Sequence, residues 1–293
     1  MATVSGENSA ALSSLARRWG FLRRGTIGRS RMGRAIELLS FGTGGAAAVF
    51  TAAHHGNEWI TAAALRAYIE RLAADYAAGD ARAREIFRRA RLLFIPLVNP
   101  DGADIASGGI NPAHARRIAA RYPEVPYPSG WKADAAGVDL NLQYPAGWEE
   151  ARGIKFAQGW RTCAPRDYVG RTPLCAPESR ALYDFTRRAR PKCALALHTQ
   201  GEVIYWQYKG AAPPGAEALA MELAAASGYA LDTVPPESAN AGYKDWVIDA
   251  LGVPAFTVEC GLGENPLPES QLAPISAAVG AICAEIARYT ADA

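Results

Sequence analysis

The chain has 293 residues, of which 49% are hydrophobic and 20% charged, with a formal net charge of +2. This composition is typical of a globular protein and excludes disordered, collagen-like and coiled-coil chains. The near balance of 31 basic and 29 acidic residues gives no sign of a surface for phosphate backbones, so we expect no nucleic-acid partner. Because α/β folds of this length are often one unit, we predict a single domain over residues 1–293.

Targeting and redox signals are weak along the whole chain. The N-terminus lacks the basic start and apolar run of a signal peptide, and we find no apolar stretch of the roughly 20 residues that a bilayer requires. The 5 cysteines are scattered and odd in number, which does not indicate a disulfide framework. Cys163 and Cys175 share a loop-rich stretch, so a bridge between them stays an open alternative that the spacing does not support. We therefore expect a cytoplasmic protein with no membrane partner.

Hydrophobic periodicity predicts strands and helices in alternation. In the first third we predict a helix at 9–24, strands at 35–41 and 46–53 joined by a Gly-rich hairpin turn at 43–45, a helix at 57–78 and a strand at 91–98. Residues 102–172 show no clear period, so we predict a long irregular region, a kind of segment that is usually functional. After it we predict helices at 178–189, 216–227 and 272–289, and strands at 193–198, 203–208 and 255–259.

This alternation predicts an α/β fold with a central mixed, mostly parallel sheet flanked by helices on both faces. In open sheets of this kind, ligands bind at the carboxyl ends of the strands. Side chains that follow a strand directly are therefore the first candidates for a functional site.

Two potential metal ligands follow the strand at 46–53. His55 and Glu58 are three residues apart at a strand-to-helix turn, so an imidazole and a carboxylate can converge on one point. Zinc accepts both ligand types, and a catalytic zinc has three protein ligands and one open position. The pair alone is equally compatible with a surface turn. Its neighbour His54 should point to the opposite side as a packed imidazole.

His198 and Glu259 each end a predicted strand. Since the chain has only 4 histidines, His198 is the natural third ligand. A carboxylate that closes an apolar strand, as Glu259 does, is costly unless it is paired or functional. Beside a zinc ion it would be the general base, while a salt-bridged strand end is the structural alternative.

In their order and spacing, these residues resemble the zinc metallocarboxypeptidase family. The resemblance implies the family's mixed sheet, one zinc ion per chain held by His55, Glu58 and His198, and Glu259 as the catalytic base. The segments that carry it are His55-Gly-Asn-Glu58, Asn99-Pro-Asp-Gly102, Gly137-Val-Asp-Leu-Asn141, Leu197-His198-Thr199, Asp245-Trp246 and Phe256-Thr-Val-Glu259.

Several positions depart from the family's exopeptidases. Lys132 replaces the arginine that polarises the scissile carbonyl, and it can stabilise an oxyanion only as a point charge. Asn141 and Leu142 stand where an Asn-Arg pair grips the terminal carboxylate. Leu142 cannot bind a carboxylate, which argues against ordinary C-terminal carboxypeptidase activity.

Two further residues are expected to bind substrate. The resemblance places Lys244 at the base of the pocket for the residue after the scissile bond, where a lysine predicts an acidic group on the substrate. A surface lysine is the alternative. Tyr243 is expected to take the place of the family's mobile pocket tyrosine.

Segments around Asp139, His198, Ala241 and Gly263 resemble the bacterial γ-D-glutamyl-meso-diaminopimelate peptidases. This resemblance implies a peptide substrate from peptidoglycan, with the second amino-acid head of diaminopimelate as the partner of Lys244. Two alternatives remain: a carboxypeptidase or deacylase for another acidic peptide or N-acyl amino acid, and an inactive peptidoglycan-peptide-binding protein. The intact ligand set and base argue against the last.

Overall fold

The computed structural model describes residues 3–293, in which eight strands form one sheet in the order β1-β2-β4-β3-β5-β8-β6-β7. Four central strands, β4, β3, β5 and β8, run parallel, and antiparallel pairs lie towards both edges. The predicted mixed sheet is therefore confirmed. The strands are β1 (Arg23–Arg29), β2 (Ala35–Phe41), β3 (Ala46–Ala52), β4 (Ala90–Ile95), β5 (Cys193–His198), β6 (Val203–Tyr205), β7 (Ala230–Asp232) and β8 (Ala255–Glu259).

Ten α-helices accompany this sheet within residues 3–293. They are α1 (Val4–Arg18), α2 (Ile60–Ala78), α3 (Ala81–Arg89), α4 (Pro100–Ala106), α5 (Ala113–Ala119), α6 (Trp148–Ala157), α7 (Pro177–Ala189), α8 (Ala216–Ser227), α9 (Tyr243–Trp246) and α10 (Leu272–Asp292).

Two apolar cores lie on the two faces of the sheet. Phe50 of β3 packs in a cluster with residues of α1, α2, α8 and α10, while the adjacent Val49 packs in a second cluster with residues of α7 and α9. A parallel strand covered on both faces has no polar side, which explains the unbroken apolar run of β3.

The N-terminal helix prediction is wrong at both ends. Helix α1 begins at Val4, after Thr3, whose hydroxyl accepts a hydrogen bond from the Gly6 amide. It ends at Arg18, and part of the predicted helix belongs to β1. β1 is an exposed edge strand rich in arginine, so it has no apolar alternation from which a strand could be predicted.

The predicted hairpin between the strands at 35–41 and 46–53 is also wrong. β4 lies between β2 and β3, and the Gly44 amide donates a hydrogen bond to the Ala90 carbonyl. The glycine-rich turn therefore crosses the end of a third strand. Sequence proximity suggested direct pairing, whereas the parallel partner of β3 comes about forty residues later.

The region predicted as irregular, residues 102–172, contains two short helices, α5 and α6, as well as most of α4. These helices are too short to show a clear period. Cys163 and Cys175, whose pairing the sequence leaves open, are both free and partly buried in this structure.

Helix α10 has the length and composition of a membrane-spanning helix, with a hydropathy of 1.3 over its most apolar window, contrary to the sequence expectation. It packs against α2 and α8, and Ile282 and Ile286 are fully buried in the core. The apolar window is 44% buried within the structure.

Candidate metal centre

The carboxyl ends of β3, β5 and β8 meet at one edge of the sheet. β5 lies between the other two, and His198 at its end is in register with Glu259 at the end of β8. His55 lies in the turn after β3, three residues beyond Ala52. The parallel sheet thus brings together side chains that are up to 204 positions apart in the chain, as the difference between 259 and 55.

The loop after β3 has a strained and closely packed backbone. Ala53 adopts a left-handed conformation with φ of 52°, which turns the chain out of the strand. A single helical turn, Gly56–Glu58, then carries Glu58 back towards His55. At Gly56 a Cβ atom would lie 2.4 Å from the Gly102 carbonyl oxygen, so only glycine fits against α4.

Asn99 holds this loop against the segment that carries Lys132. Its side-chain nitrogen lies 3.1 Å from the His54 carbonyl oxygen and 3.2 Å from that of Lys132. Its side-chain oxygen accepts a hydrogen bond of 2.8 Å from the Gly102 amide. Asn99 is fully buried and acts as a positioning residue; in the sequence it stands out only as part of the motif Asn99-Pro-Asp-Gly102.

The three predicted ligands converge. His55 Nδ1 lies 2.9 Å from one Glu58 oxygen, His198 Nδ1 lies 3.0 Å from the other, and the two nitrogens are 3.2 Å apart. This spacing is close to the roughly 3.3 Å between neighbouring ligands of a tetrahedral zinc ion. The cluster could bind one zinc ion.

The electrostatics of the cluster favour a positive charge among the ligands. Burial lowers the pKa of His55, but Glu58 and Asp139 outweigh it and raise the pKa to about 9. Burial likewise opposes ionisation of Glu58, yet His55 and Lys132 hold its pKa well below the ordinary value. A divalent cation would supply the same positive charge that this site otherwise draws from a proton.

Asp139 supports His55 from behind and was not among the predicted site residues. Its Oδ1 atom lies 3.2 Å from His55 Nε2, and its Oδ2 atom accepts a 3.1 Å hydrogen bond from the Asp167 amide. A carboxylate on the distal nitrogen of a metal-binding imidazole fixes the tautomer and the ring orientation.

His54 is not part of the cluster, although its ring stacks on that of His198 with the centroids 5.4 Å apart. It is fully buried, its Nε2 atom lies 3.4 Å from the Tyr144 hydroxyl, and burial with two neighbouring imidazoles lowers its pKa well below the ordinary value. It is therefore a neutral, packed imidazole.

Glu259 and Lys132 both line a cleft of about 600 Å³ beside the ligands. No salt-bridge partner of Glu259 is found among residues 3–293, so the structural alternative for this strand end has no support. Burial raises the pKa of Glu259, and His198 partly offsets this. Lys132 Nζ lies 3.3 Å from a Glu58 oxygen.

Of the predicted substrate-binding residues, Asn141 lines the cleft and Tyr243 lies in the core. Asn141 lines the cleft, and its side-chain oxygen accepts a 3.1 Å hydrogen bond from the Tyr243 amide. The Tyr243 side chain is 1% exposed, packs on Tyr144 and Trp246, and has its hydroxyl 2.9 Å from that of Thr186. The prediction that Tyr243 contacts substrate is therefore wrong, because α9 turns its ring into the core.

Lys244 lines the cleft but is not a free cation. Its Nζ atom lies 2.5 Å from Asp245 Oδ1 and donates a hydrogen bond to the Gln207 carbonyl. Neither a surface lysine nor an unpaired pocket charge describes it. The cleft presents an ion pair at this point.

Replacing Gly56 with alanine should push the ligand loop away from α4. We expect a loss of about 1–3 kcal/mol in the free energy of unfolding of the metal-free protein, with weaker zinc binding. The matched control is Gly153→Ala in α6, where a Cβ meets nothing within 4 Å and helix propensity predicts a gain of about 0.5–1 kcal/mol. Urea unfolding and zinc competition titrations measure both, and wild-type values for Gly56→Ala would contradict the steric argument.

Zinc should bind at one equivalent per chain and stabilise the fold by about 2.7 kcal/mol at a concentration one hundred times Kd. Glu58→Gln and His198→Ala should abolish both effects, since each removes a ligand. Glu264→Gln, which changes an exposed carboxylate on the rim of the same cleft, is the control. Elemental analysis and thermal unfolding test this, and undiminished zinc binding by Glu58→Gln would place the ion elsewhere.

Comparisons with known proteins identify the family of the chain. The family model described as zinc carboxypeptidase matches residues 10–279. Gamma-D-glutamyl-L-diamino acid endopeptidase 1 of Lysinibacillus sphaericus is 38% identical over 259 residues, which are 86% of this chain and 63% of that protein. The chain thus spans less than two thirds of this relative's length.

Solved structures show the same fold. Thrombin activatable fibrinolysis inhibitor aligns with a TM-score of 0.78 at 20% identity, covering 99% of this chain and 77% of that one. The murein-tripeptide amidase MpaA from Escherichia coli O157 aligns with a TM-score of 0.55 at 21% identity, covering 89% and 91%. With its ligand cluster at the carboxyl edge of this sheet and the family model matched over most of its length, the chain belongs to the zinc carboxypeptidase family of metallopeptidases.

Proposed function

We propose that this metallopeptidase hydrolyses the γ-D-glutamyl–meso-diaminopimelate bond of peptides derived from peptidoglycan. The observation that carries the proposal is the His55, Glu58 and His198 cluster in an open cleft that Glu259 also lines, a carboxylate with no salt-bridge partner among residues 3–293. The similarity to a relative named for γ-D-glutamyl-diamino acid cleavage supports the choice of bond.

Glu259 is suited to the role of general base. A zinc ion in this site would supply Lewis acidity and make water a stronger acid. Glu259 then takes a proton from the attacking water and delivers it to the amine that leaves. Its raised pKa, caused mainly by burial, fits a group that holds a proton between these two transfers.

Lys132 is suited to stabilise the negative charge that develops on the scissile carbonyl oxygen. Its side chain is 18% exposed, and Nζ is held 3.3 Å from Glu58, so the ammonium is fixed beside the ligand cluster. A positive charge held in advance at that position lowers the barrier without reorganisation.

The pair of Lys244 and Asp245 suits the far end of diaminopimelate. That end carries an ammonium and a carboxylate on one carbon and is therefore zwitterionic. A paired lysine and aspartate complement a zwitterion better than they complement a lone carboxylate. Leu142 is buried with Trp148 and offers nothing to a C-terminal carboxylate, which disfavours ordinary carboxypeptidase action.

The shape of the cleft disfavours the deacylase alternative. A deacylase for small acyl amino acids needs a closed, small pocket. The cleft here is about 600 Å³ and reaches exposed rim residues such as Glu124 and Glu264. A peptide of several residues fits such an opening better than a single acyl amino acid does.

Zinc-loaded protein mixed with L-Ala-γ-D-Glu-meso-diaminopimelate should release free diaminopimelate, detected by mass spectrometry. Glu259→Gln should retain zinc and the wild-type melting temperature but lose about 10²–10⁴-fold in kcat, because the proton acceptor is gone. Absence of cleavage with one zinc ion per chain would rule out this substrate. Cleavage of an N-acyl acidic amino acid instead would support the deacylase.

Changing the ion pair should change selectivity at the leaving residue. The wild type should prefer diaminopimelate over L-lysine, which lacks the distal carboxylate, by about tenfold or more. Because Lys244→Met alone leaves Asp245 buried and unpaired, the informative variant is Lys244→Met with Asp245→Asn. We expect the preference to vanish in it and to persist in Lys209→Met, an exposed control. An unchanged preference in the double variant would show that Lys244 and Asp245 do not contact the leaving residue of the substrate.

A further inference from the structure

Arg166 lies in the cleft at the end of a chain of charged groups. Its Nε atom donates a 2.5 Å hydrogen bond to Asp167 Oδ2, and Lys155 Nζ lies 2.7 Å from Asp167 Oδ1. The Asp167 amide donates to Asp139, which in turn holds His55. Arg166 is thus connected to the metal ligands through two carboxylates.

Lys155, Asp167 and Arg166 together carry two positive charges and one negative charge, and the exposed positive charge is that of Arg166. The Lys155 and Asp167 side chains are only 8% and 14% exposed, so their mutual pairing is well shielded from water. The Arg166 side chain is 42% exposed. Its two Nη groups make no hydrogen bond with any residue in the range 3–293, although Arg166 lines the cleft.

The other cations that line the cleft are already engaged. Lys132 lies beside Glu58, Lys244 is paired with Asp245, and Lys155 is paired with Asp167. The guanidinium of Arg166 is therefore held in place through Nε, while its two Nη groups, which have no partner among residues 3–293, can donate hydrogen bonds into the cleft. Such a fork is suited to bidentate binding of a carboxylate.

We propose that Arg166 binds the free α-carboxylate of the γ-linked D-glutamyl residue on the acyl side of the scissile bond. This assignment rests on the proposed function. In a γ-linked residue the α-carboxylate is not part of the peptide chain, so it stays ionised, three carbons from the scissile carbonyl. An α-linked residue has a carboxylate at that separation only when it is itself glutamate, so Arg166 selects a glutamyl group on the acyl side over other residues.

Lys155 and Asp167 are positioning residues in this arrangement. Asp167 fixes the guanidinium through Nε, and Lys155 neutralises Asp167 so that it does not cancel the charge of Arg166. Leu142 cannot bind a C-terminal carboxylate. In this arrangement Arg166, on another segment, binds a different carboxylate of the substrate, the α-carboxylate of the D-glutamyl residue.

The test compares two substrates that differ in one group. They are L-Ala-γ-D-Glu-meso-diaminopimelate and its analogue in which the α-carboxylate of D-Glu is a carboxamide. The wild type should prefer the carboxylate form by about 10–100-fold in kcat/KM, as is typical of a hydrogen bond to a charged group. Arg166→Gln should lose this factor on the carboxylate form and keep its rate on the amide, while Arg166→Lys should restore part of it.

Arg171→Gln is the matched control, because Arg171 is an exposed arginine of the same region that does not line the cleft. A second readout needs no turnover. In the Glu259→Gln background, calorimetry should show weaker binding of the carboxylate peptide, but not of the amide, when Arg166→Gln is added. Zinc content should stay at one equivalent throughout.

The possible results separate this assignment from the proposed function. Cleavage of both peptides at equal rates by the wild type would overturn the assignment and leave the proposed function intact. An equal loss on both peptides in Arg166→Gln, in kcat rather than KM, would overturn it in favour of a role at the scissile carbonyl. Cleavage of neither peptide by the zinc-loaded wild type would overturn both.

Discussion

The buried carboxylate of Glu58 is the constraint on which the rest of the site depends. It is 1% exposed, and two imidazoles and the Lys132 ammonium lie within 3.3 Å of it. An ion in such a place costs several kcal/mol unless opposite charge meets it. A divalent cation held with His55 and His198 meets that requirement and gives the family its chemistry.

The backbone around Glu58 is arranged to keep this cluster in place. The left-handed turn at Ala53, the contact of Gly56 with α4 and the buried amide of Asn99 all act on the few residues between β3 and α2. His198 needs no such device, because it ends a central strand that is paired on both sides. One ligand pair is therefore held by a packed loop and the third ligand by the sheet.

The pairing of charges in the cleft also suggests how an enzyme with this zinc site can be selective for one kind of peptide. Lys244 and Asp245 form a neutral pair that matches a zwitterionic end group, whereas Arg166 keeps a net charge that matches a lone carboxylate. Both features differ from a single arginine that binds a C-terminal carboxylate. The position of that arginine in the exopeptidases resembled by this sequence is occupied here by the buried Leu142. The pattern of paired and unpaired charges, more than the metal ligands, distinguishes this cleft.

The alternation of strands and helices, the mixed sheet and the candidates His55, Glu58, His198 and Glu259 could be predicted from the sequence, because each candidate ends an apolar strand or lies in the turn after one, and parallel strands end at one edge. Tertiary structure alone decided the rest. β4 separates β2 from β3, α9 turns Tyr243 into the core while Lys244 meets Asp245, and Asp167 connects Arg166 to Asp139. These outcomes depend on which side chains lie next to each other across distant segments, and local periodicity carries no information about that.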